Sequence, residues 1–307
     1  MRPLPKPAVS AAVGAGAAVT GYYGFLYGES LLARRLIGMT DDRPPSADGV
    51  YGDDHPGRPI RCLVLGDSAC VGYGMVTADT TPPALIGIGL AHVLDTPVHI
   101  RSEAAVGAQT ADLREQINRG LAHKPDVAVI VIGTNDVTHS VPSLVSARTL
   151  GAAVRRLVAA GCEVVVGTVP DLGTVRPIPQ PLRWVARRRS RALARKQMYS
   201  VVAAGGRAVS LGDLLGPMFA EKSDVMFGAD RFHPSGAGYA NMVSVLVPSI
   251  AAAMRERATE EIFAAVEEPP RDLMPLEEAA EQAELHVGTE VSREGRWATV
   301  LRRRRAS

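Results

Sequence analysis

The sequence is poor in cysteine, in aromatic residues and in net charge. Only 3 of its 307 residues are cysteines, 5% are aromatic, and the formal net charge is +2. Cys62, Cys70 and Cys162 are too few for a disulfide framework and too scattered for the close pairs of a zinc site, so we interpret them as small apolar core residues. We predict no metal or other cofactor. A net charge near zero also lacks the basic footprint of a nucleic-acid-binding protein, so no nucleic-acid partner is predicted.

One glycine-rich stretch lacks the residues that phosphate binding requires. Residues 66–74 read Gly-Asp-Ser-Ala-Cys-Val-Gly-Tyr-Gly. A Walker loop needs a lysine after its last glycine, but Tyr73 follows Gly72. A dinucleotide-binding fingerprint needs a third glycine, and Thr77 stands at that position. The stretch is therefore a candidate for presenting the hydroxyl of Ser68 rather than for holding a nucleotide.

Strand-like and helical patterns alternate along the middle of the chain. Apolar runs predict strands at residues 61–65, 98–102, 127–132, 163–169 and 207–211. The third run is apolar throughout, which is typical of a parallel strand covered on both faces. Helices are predicted between the runs, including one that starts at Pro82-Pro83 and ends near Leu94. The pattern predicts an α/β fold, with functional residues just past the carboxyl ends of the strands.

The clearest helical pattern covers residues 143–160. We predict that it ends before Gly161 and buries one apolar face, made of Leu144, Leu150, Val154, Leu157 and Val158.

The amino-terminal segment is a candidate membrane segment. Residues 7–28 carry no charged side chain, and Arg2 and Lys6 precede them. The span is long enough to cross a bilayer, although it is rich in alanine and glycine rather than leucine. Ala15-Gly16-Ala17 resembles a signal-peptidase site. The segment is thus a retained anchor, a cleaved signal or a soluble helix packed on the domain. We predict a membrane-associated or exported protein, and a cytoplasmic one if the third alternative holds.

Composition divides the chain into four parts. Residues 1–40 are the anchor or signal-like segment, residues 41–59 a linker, residues 60–257 the folded domain and residues 258–307 a charged tail. The tail contains many glutamates and several prolines but few large apolar residues. We expect it to form short helices or disorder outside the core.

A carboxylate precedes a histidine by three residues near the end of the domain, in Asp230-Arg231-Phe232-His233-Pro234. In a turn, this spacing can put both side chains on one side, so that Asp230 accepts the Nδ1 proton of His233. Nε2 of His233 is then left to take the proton of Ser68. The alternative is a surface cap before a helix that begins near Ser235. The pairing of this motif with a strand-end serine favours the chemical interpretation.

Four blocks of the sequence resemble those of the SGNH hydrolases, also called the GDSL esterase/lipase superfamily. They are Gly66-Asp67-Ser68, Ala105-Val106-Gly107-Ala108-Gln109-Thr110, Gly133-Thr134-Asn135-Asp136 and Asp230-Arg231-Phe232-His233-Pro234. The resemblance covers about residues 60–255, and Ala69 departs from it by replacing the leucine of the family name. It implies a flavodoxin-like three-layer α/β/α sandwich with a five-stranded parallel sheet, and a carboxylic ester hydrolase.

The resemblance also implies a role for each site residue. Ser68 is the expected nucleophile, His233 the general base and Asp230 the carboxylate that orients the base. The expected oxyanion hole consists of the backbone N–H groups of Ser68 and Gly107 and the side-chain amide of Asn135. We interpret the neighbouring Asp67 and Asp136 as turn or buried hydrogen-bonding residues rather than catalysts.

A proline-rich segment followed by a basic helix interrupts the later part of the domain. Residues 174–184 contain three prolines, which places them outside the sheet. A helix predicted over residues 185–204 begins with Arg187-Arg188-Arg189-Ser190-Arg191. It is either a solvated basic face or a lid or membrane-facing element.

Three functions fit these residues. The first is a serine esterase or lipase-type hydrolase that acts on small-molecule or lipid esters at or near the cell envelope. The second is an O-acyltransferase that uses the same residues, and the third is a catalytically silent envelope-binding protein. The complete set of site residues argues against the third.

Overall fold

The computed structural model describes residues 24–25, 28–29, 32, 44–263, 274–285, 289–294 and 297–302. Its strands are β1 (Gly49–Tyr51), β2 (Ile60–Gly66), β3 (Val98–Ser102), β4 (Val127–Val131), β5 (Glu163–Gly167), β6 (Arg207–Val209), β7 (Met274–Pro275), β8 (Thr289–Glu294) and β9 (Trp297–Arg302). The described helices are α1 (Ser68–Val71), α2 (Pro82–Leu94), α3 (Leu113–Gly120), α4 (Thr134–Thr138), α5 (Ser143–Ala159), α6 (Leu182–Ala203), α7 (Leu211–Glu221), α8 (Ser223–Met226), α9 (Gly236–Phe263) and α10 (Leu276–Leu285).

Five parallel strands form the centre of the sheet, in the order β3-β2-β4-β5-β6. They are the five strands predicted from the apolar runs, with ends that differ by at most two residues. Strand β1 pairs antiparallel with β3 at one edge, inside the segment predicted as a linker. The predicted five-stranded parallel sheet is therefore confirmed, and the structure adds antiparallel strands at both of its edges.

Alternate residues of the parallel strands belong to two separate hydrophobic cores, one on each face of the sheet. On one face Val64, Val129 and Val165 pack with α2 and α9, and on the other Leu63 and Ile130 pack with α3, α5 and α6. Burial on both faces explains why β4 is apolar at every position. The predicted three-layer α/β/α architecture is confirmed.

Helix α5 buries a narrower face than predicted. Leu150, Val154 and Leu157 are fully buried, but Leu144 is 48% exposed and Val158 is 37% exposed. At about 100° per residue, Leu144 lies about 120° and Val158 about 80° around the helix from Leu150. The prediction that these two residues share the buried face was wrong.

The tail takes part in the sheet. Strand β8 pairs antiparallel with β6, and β9 and β7 follow outward in the order β8-β9-β7. Ala279 of α10 is buried against the core that contains α6, and α9 runs to Phe263, past the boundary predicted at residue 257. The expectation that this tail lies outside the core was wrong for Ala279 and Ala280 of α10, whereas the expected short helix is present.

One described helix has the length and hydropathy of a membrane span. It covers residues 236–258 of α9, but 56% of its apolar window is buried within the protein. Its fully buried Tyr239, Leu246 and Ile250 belong to the core on one face of the sheet. The apolar character of this helix therefore serves the core. The predicted membrane segment, residues 7–28, lies almost entirely outside the described residues and stays a prediction.

Candidate active site

The turn after β2 holds Ser68 at the carboxyl end of a central strand. Gly66 has a φ of 140°, and a Cβ atom there would collide with the carbonyl oxygen of Val131, so only glycine fits. Asp67 caps α1 by accepting a 3.0 Å hydrogen bond from the N–H of Ala69. Ser68 is the first residue of α1 and is 8% exposed. The sequence thus turns sharply at the strand end and presents the hydroxyl of Ser68.

Gln116 of α3 holds this turn in place through two hydrogen bonds to Gly66. The sequence analysis did not identify Gln116. Its side-chain oxygen accepts from the N–H of Gly66 at 2.8 Å, and its side-chain nitrogen donates to the carbonyl of Gly66 at 2.9 Å. Gln116 is 1% exposed. Gln116 is 50 positions away from Gly66 and belongs to no motif. The available signal was a polar residue on an otherwise apolar, buried helix face.

The histidine comes from a tight turn between α8 and α9. Oδ1 of Asp230 accepts from the backbone N–H groups of Phe232 and His233 at 2.9 and 3.0 Å. Arg231 has a φ of 56°, and the N–H of Gly228 donates to the carbonyl of His233 at 2.8 Å. This closure leaves Oδ2 of Asp230 2.6 Å from Nδ1 of His233. The predicted side-by-side arrangement at this spacing is what the structure shows.

The second ring nitrogen of His233 reaches Ser68. Nε2 lies 3.0 Å from Oγ of Ser68, across 165 positions of sequence. The imidazole packs between two aromatic rings, with centroid distances of 4.3 Å to Tyr73 and 5.0 Å to Phe232. Tyr73, which the sequence analysis did not assign, is itself held by the hydroxyl of Tyr239, which donates to its carbonyl at 3.0 Å. Contacts with two aromatic rings therefore help to hold the imidazole of His233 in place.

Burial and hydrogen bonding act in opposite directions on Asp230. Burial raises the pKa of this carboxyl group, but hydrogen bonds from the side chain of His233 and the N–H of Phe232 outweigh it and hold the pKa below 3.8. Asp230 is therefore ionised at neutral pH, as required of a group that orients and stabilises an imidazolium.

The two remaining sequence blocks, which carry Gly107 and Asn135, lie near the turn of Ser68. The N–H of Ala105 donates to the carbonyl of Gly66 at 3.1 Å, so the loop that carries Gly107 begins next to the serine turn. The side-chain amide of Asn135 donates to the carbonyl of Ala108 at 2.9 Å. An amide has two N–H groups, so this contact leaves Asn135 one further donor. The loop of Gly107 and the side chain of Asn135 thus form one hydrogen-bonded unit.

Asp136 and Asp67 have the structural contacts predicted for them. Oδ2 of Asp136 accepts from the N–H of Thr110 at 3.0 Å, and this buried bond ties α4 to the loop of Gly107. The hydroxyl of Thr110 contacts that of Ser146 in α5 at 3.0 Å. Asp67 caps α1, as described above. Neither carboxylate contacts His233 in a hydrogen bond.

Asp67 is nevertheless an unusual carboxyl group. Burial raises its pKa from 3.8 to about 6, although the N–H of Ala69 and the positive charge of His233 act in the opposite direction. A folded-state pKa above the unfolded one means that ionising Asp67 destabilises the fold. This destabilisation is absent below about pH 4, where Asp67 is protonated, and fully present above about pH 6, where it is ionised.

Asp67→Asn is therefore expected to stabilise the protein only at the higher pH. A shift of about two pKa units corresponds to a gain of about 3 kcal/mol in unfolding free energy when the charge is removed. The amide oxygen of asparagine can keep the cap on α1, so that contact is not lost. Urea unfolding of both proteins at pH 4 and pH 7.5 measures the effect. An equal difference in unfolding free energy at the two pH values would contradict a buried, destabilising carboxylate.

An apolar cavity of about 80 Å³ opens beside Ser68 and His233. It lies between the loop after β5, helix α7 and the turn of His233. Its apolar walls include Leu172, Val175, Leu211, Leu215, Phe219 and Phe227. The hydroxyl of Ser68 thus lies at the edge of a mostly apolar cavity that can receive an apolar substituent.

Comparison with known proteins identifies the family. The family model of GDSL-like lipases and acylhydrolases matches residues 64–240. A GDSL-like esterase of Mycobacterium tuberculosis is 39% identical over 268 residues, which cover 83% of each chain. The crystal structure of LAE5, an α/β hydrolase from the metagenome of Lake Arreo in Spain, is similar in fold, with a TM-score of 0.51 and 17% identity over 64% of this chain and 95% of that one. The chain belongs to the GDSL-like lipase/acylhydrolase family and is an SGNH-type carboxylic ester hydrolase.

Proposed function

We propose that this esterase cleaves its substrate through an acyl-enzyme on Ser68. The observation that carries the proposal is the continuous chain from Oγ of Ser68 to Nε2 of His233 at 3.0 Å and from Nδ1 of His233 to Asp230 at 2.6 Å. In the first step, Ser68 attacks the ester carbonyl while His233 takes its proton. The ionised Asp230 stabilises the imidazolium that forms.

Charge on the substrate oxygen develops at the other side of Ser68. We assign its stabilisation to the N–H groups of Ser68 and Gly107 and the second N–H of Asn135. Among the described residues, neither backbone N–H has a hydrogen-bond acceptor, and the Asn135 amide is already held by Ala108. Fixed donors without an acceptor are suited to meeting an oxyanion, because they need little reorganisation during the reaction.

The acyl-enzyme is then resolved by water. His233 returns its proton to the leaving alcohol, which departs as the tetrahedral intermediate collapses. It next takes a proton from water, which attacks the acyl carbonyl. As the second tetrahedral intermediate collapses, His233 gives this proton to Oγ of Ser68 and the carboxylic acid leaves. The same residues thus serve both half-reactions, and the enzyme returns to its starting protonation state.

The apolar cavity is the proposed binding site of the acyl group. Its walls are mostly apolar, and its size fits an acyl chain of a few carbons. Each buried methylene contributes about 0.8 kcal/mol, or about fourfold in kcat/KM. We therefore expect kcat/KM to rise with acyl length until the cavity is filled.

Leu215→Phe tests this assignment because Leu215 of α7 forms part of the cavity wall. The larger ring is expected to lower kcat/KM for the longest acyl ester that the wild type accepts by about 10-fold or more, while acetyl ester hydrolysis changes little. Rates with a series of p-nitrophenyl esters, from acetyl to octanoyl, give the comparison.

Leu214→Phe is the matched control on the same helix. Leu214 is partly buried but does not line the cavity. An equal change in the chain-length profile of both variants would mean that the cavity does not bind the acyl group, and would leave the role of Ser68 untouched.

We also propose that the enzyme works at the membrane or cell envelope. Support comes from residues 7–28, whose uncharged span is of bilayer length and follows two cations. Extraction with alkaline carbonate is expected to leave the full-length protein in the membrane pellet. Recovery of the whole protein in the soluble fraction with its amino terminus intact would rule this out.

A further inference from the structure

We propose that one face of the enzyme docks on an anionic lipid bilayer. This docking face consists of Arg183, Trp184, Arg188 and Arg189 at the beginning of α6 and of Leu144 and Val145 at the beginning of α5. It goes beyond the ester chemistry proposed above, because it concerns where the enzyme rests rather than how it cleaves. It also favours one of the two alternatives that the sequence left open for the basic helix.

The arginines of the docking face carry uncompensated charge. Arg183 donates to the carbonyl of Arg176 at 3.3 Å, and Arg189 donates to the hydroxyl of Ser140 at 2.7 Å. The guanidinium of Arg188 lies 4.9 Å from the ring centroid of Trp184. Within the described part of the chain, none of these three arginines forms an ion pair with a carboxylate.

Two neighbouring arginines of the same helix show the contrast. Arg187 and Arg191 lie 3.4 and 3.5 Å from the carboxylate of Asp171, and Arg191 lies 3.2 Å from that of Asp213. Their charge is locally balanced. The docking face therefore differs from a simple solvated basic helix, because its cations are held by neutral groups and stay available to phosphate, which guanidinium binds well.

Apolar side chains lie among these cations. Trp184 is 52% exposed, and Leu144 and Val145 are 48% and 54% exposed. The bond between Arg189 and Ser140 brings the beginning of α5 alongside α6. Exposed aliphatic and indole groups beside arginines match the interface of an anionic bilayer, where tryptophan prefers the headgroup level and arginine the phosphates.

The docking face is continuous with the predicted membrane segment. The carboxylate of Glu29, one residue past the uncharged span, accepts a 2.9 Å hydrogen bond from the N–H of Leu182. This hydrogen bond places Glu29, which follows the uncharged span, beside Leu182, the residue that precedes Arg183 and Trp184 in the chain. A span inserted in a bilayer would therefore place the docking face at its surface.

The docking face also adjoins the acyl cavity. The side chain of Arg187 packs against Gly173, in the loop whose Leu172, Thr174 and Val175 line the cavity. Arg187 lies one residue before Arg188 of the docking face, so docking would bring this loop close to lipid. A soluble anion is a poorer occupant, because the face is the outer surface of a helix and encloses nothing.

Trp184 provides a local reporter in the full-length protein. The chain has two tryptophans, Trp184 and Trp297, and the predicted membrane segment has none. Vesicles of phosphatidylcholine mixed with phosphatidylglycerol are expected to shift the tryptophan emission to the blue, and added salt to weaken the shift. Phosphatidylcholine vesicles should give a much smaller shift, and Trp184→Phe should abolish it with both.

A charge-matched pair of triple variants tests the arginines. The combined substitutions Arg183→Glu, Arg188→Glu and Arg189→Glu are expected to abolish the blue shift of Trp184 with the mixed vesicles, even where residues 7–28 hold the protein on the vesicle. The control reverses exposed cations elsewhere, in Arg114→Glu, Lys124→Glu and Arg155→Glu, and is expected to keep most of the shift.

Three results would overturn the proposal. They are an unchanged Trp184 emission while the protein is bound to mixed vesicles, an equal loss of the emission shift in both triple variants, and the same emission shift with inorganic phosphate alone. Ser68→Ala should bind the vesicles like the wild type, so a failure of docking is distinguishable from a failure of the proposed ester chemistry.

Discussion

Ser68→Ala is expected to lower kcat for ester hydrolysis by about 10⁴- to 10⁶-fold while leaving the fold intact. The hydroxyl is the only group of Ser68 in contact with His233, at 3.0 Å, and its removal takes away the atom to which the acyl group would be attached. The side chain is small and lies at the edge of a cavity, so little packing is lost. Steady-state hydrolysis of a short-chain aryl ester, with circular dichroism as a check on folding, measures both effects.

Ser223→Ala is the matched control. Ser223 is also the first residue of a four-residue helix and is 7% exposed, against 8% for Ser68. It does not line the cavity and is not among the hydrogen-bond partners of the His233 ring, so Ser223→Ala is expected to keep wild-type activity. If Ser68→Ala keeps the wild-type rate, or both variants lose activity equally, the turn after β2 has no chemical role.

Asp230→Asn is expected to lower kcat by about 10⁴-fold near neutral pH. The amide can still accept from the N–H groups of Phe232 and His233 through its oxygen, so the turn persists. It presents an N–H instead of a carboxylate to Nδ1 of His233. The ring then takes the tautomer that carries its proton on Nε2, where it cannot accept the proton of Ser68.

The same substitution has a distinct signature in stability. Because the pKa of Asp230 is lowered by folding, its ionised form stabilises the native state above the unfolded pKa. That contribution is lost as the pH falls through the folded pKa, which lies below 3.8. Wild type and Asp230→Asn should therefore differ in unfolding free energy near pH 7 and converge in strong acid. A constant difference across this range would mean that the carboxylate charge has no part in the turn.

The parallel sheet and the main site residues could be predicted because their signals are local. A strand buried on both faces is apolar at each position, as in β4, and the turn at its end needs particular small residues. Asp230 and His233 are three positions apart, so one tight turn with Arg231 at a φ of 56° brings them together. The resemblance to the family then joined this turn to Ser68.

Other parts of the structure depend on contacts that no local pattern records. Gln116 binds Gly66 from 50 positions away, and Tyr73 packs on His233 from the far end of the domain. Strand β8 pairs with the edge of β6, whereas the composition of that segment predicted short helices or disorder. The helical period of α5 was correct, but the predicted buried face was too wide and therefore included the exposed Leu144.

The central claim is that Ser68 carries the acyl group, and covalent labelling tests it most directly. The native enzyme is treated with a fluorophosphonate probe, digested and analysed by mass spectrometry. We predict that the modification lies on the peptide that contains Ser68, and that neither Ser68→Ala nor heat-unfolded wild type is labelled. Active, folded enzyme without a label on Ser68, or with the label on another serine, would contradict the account.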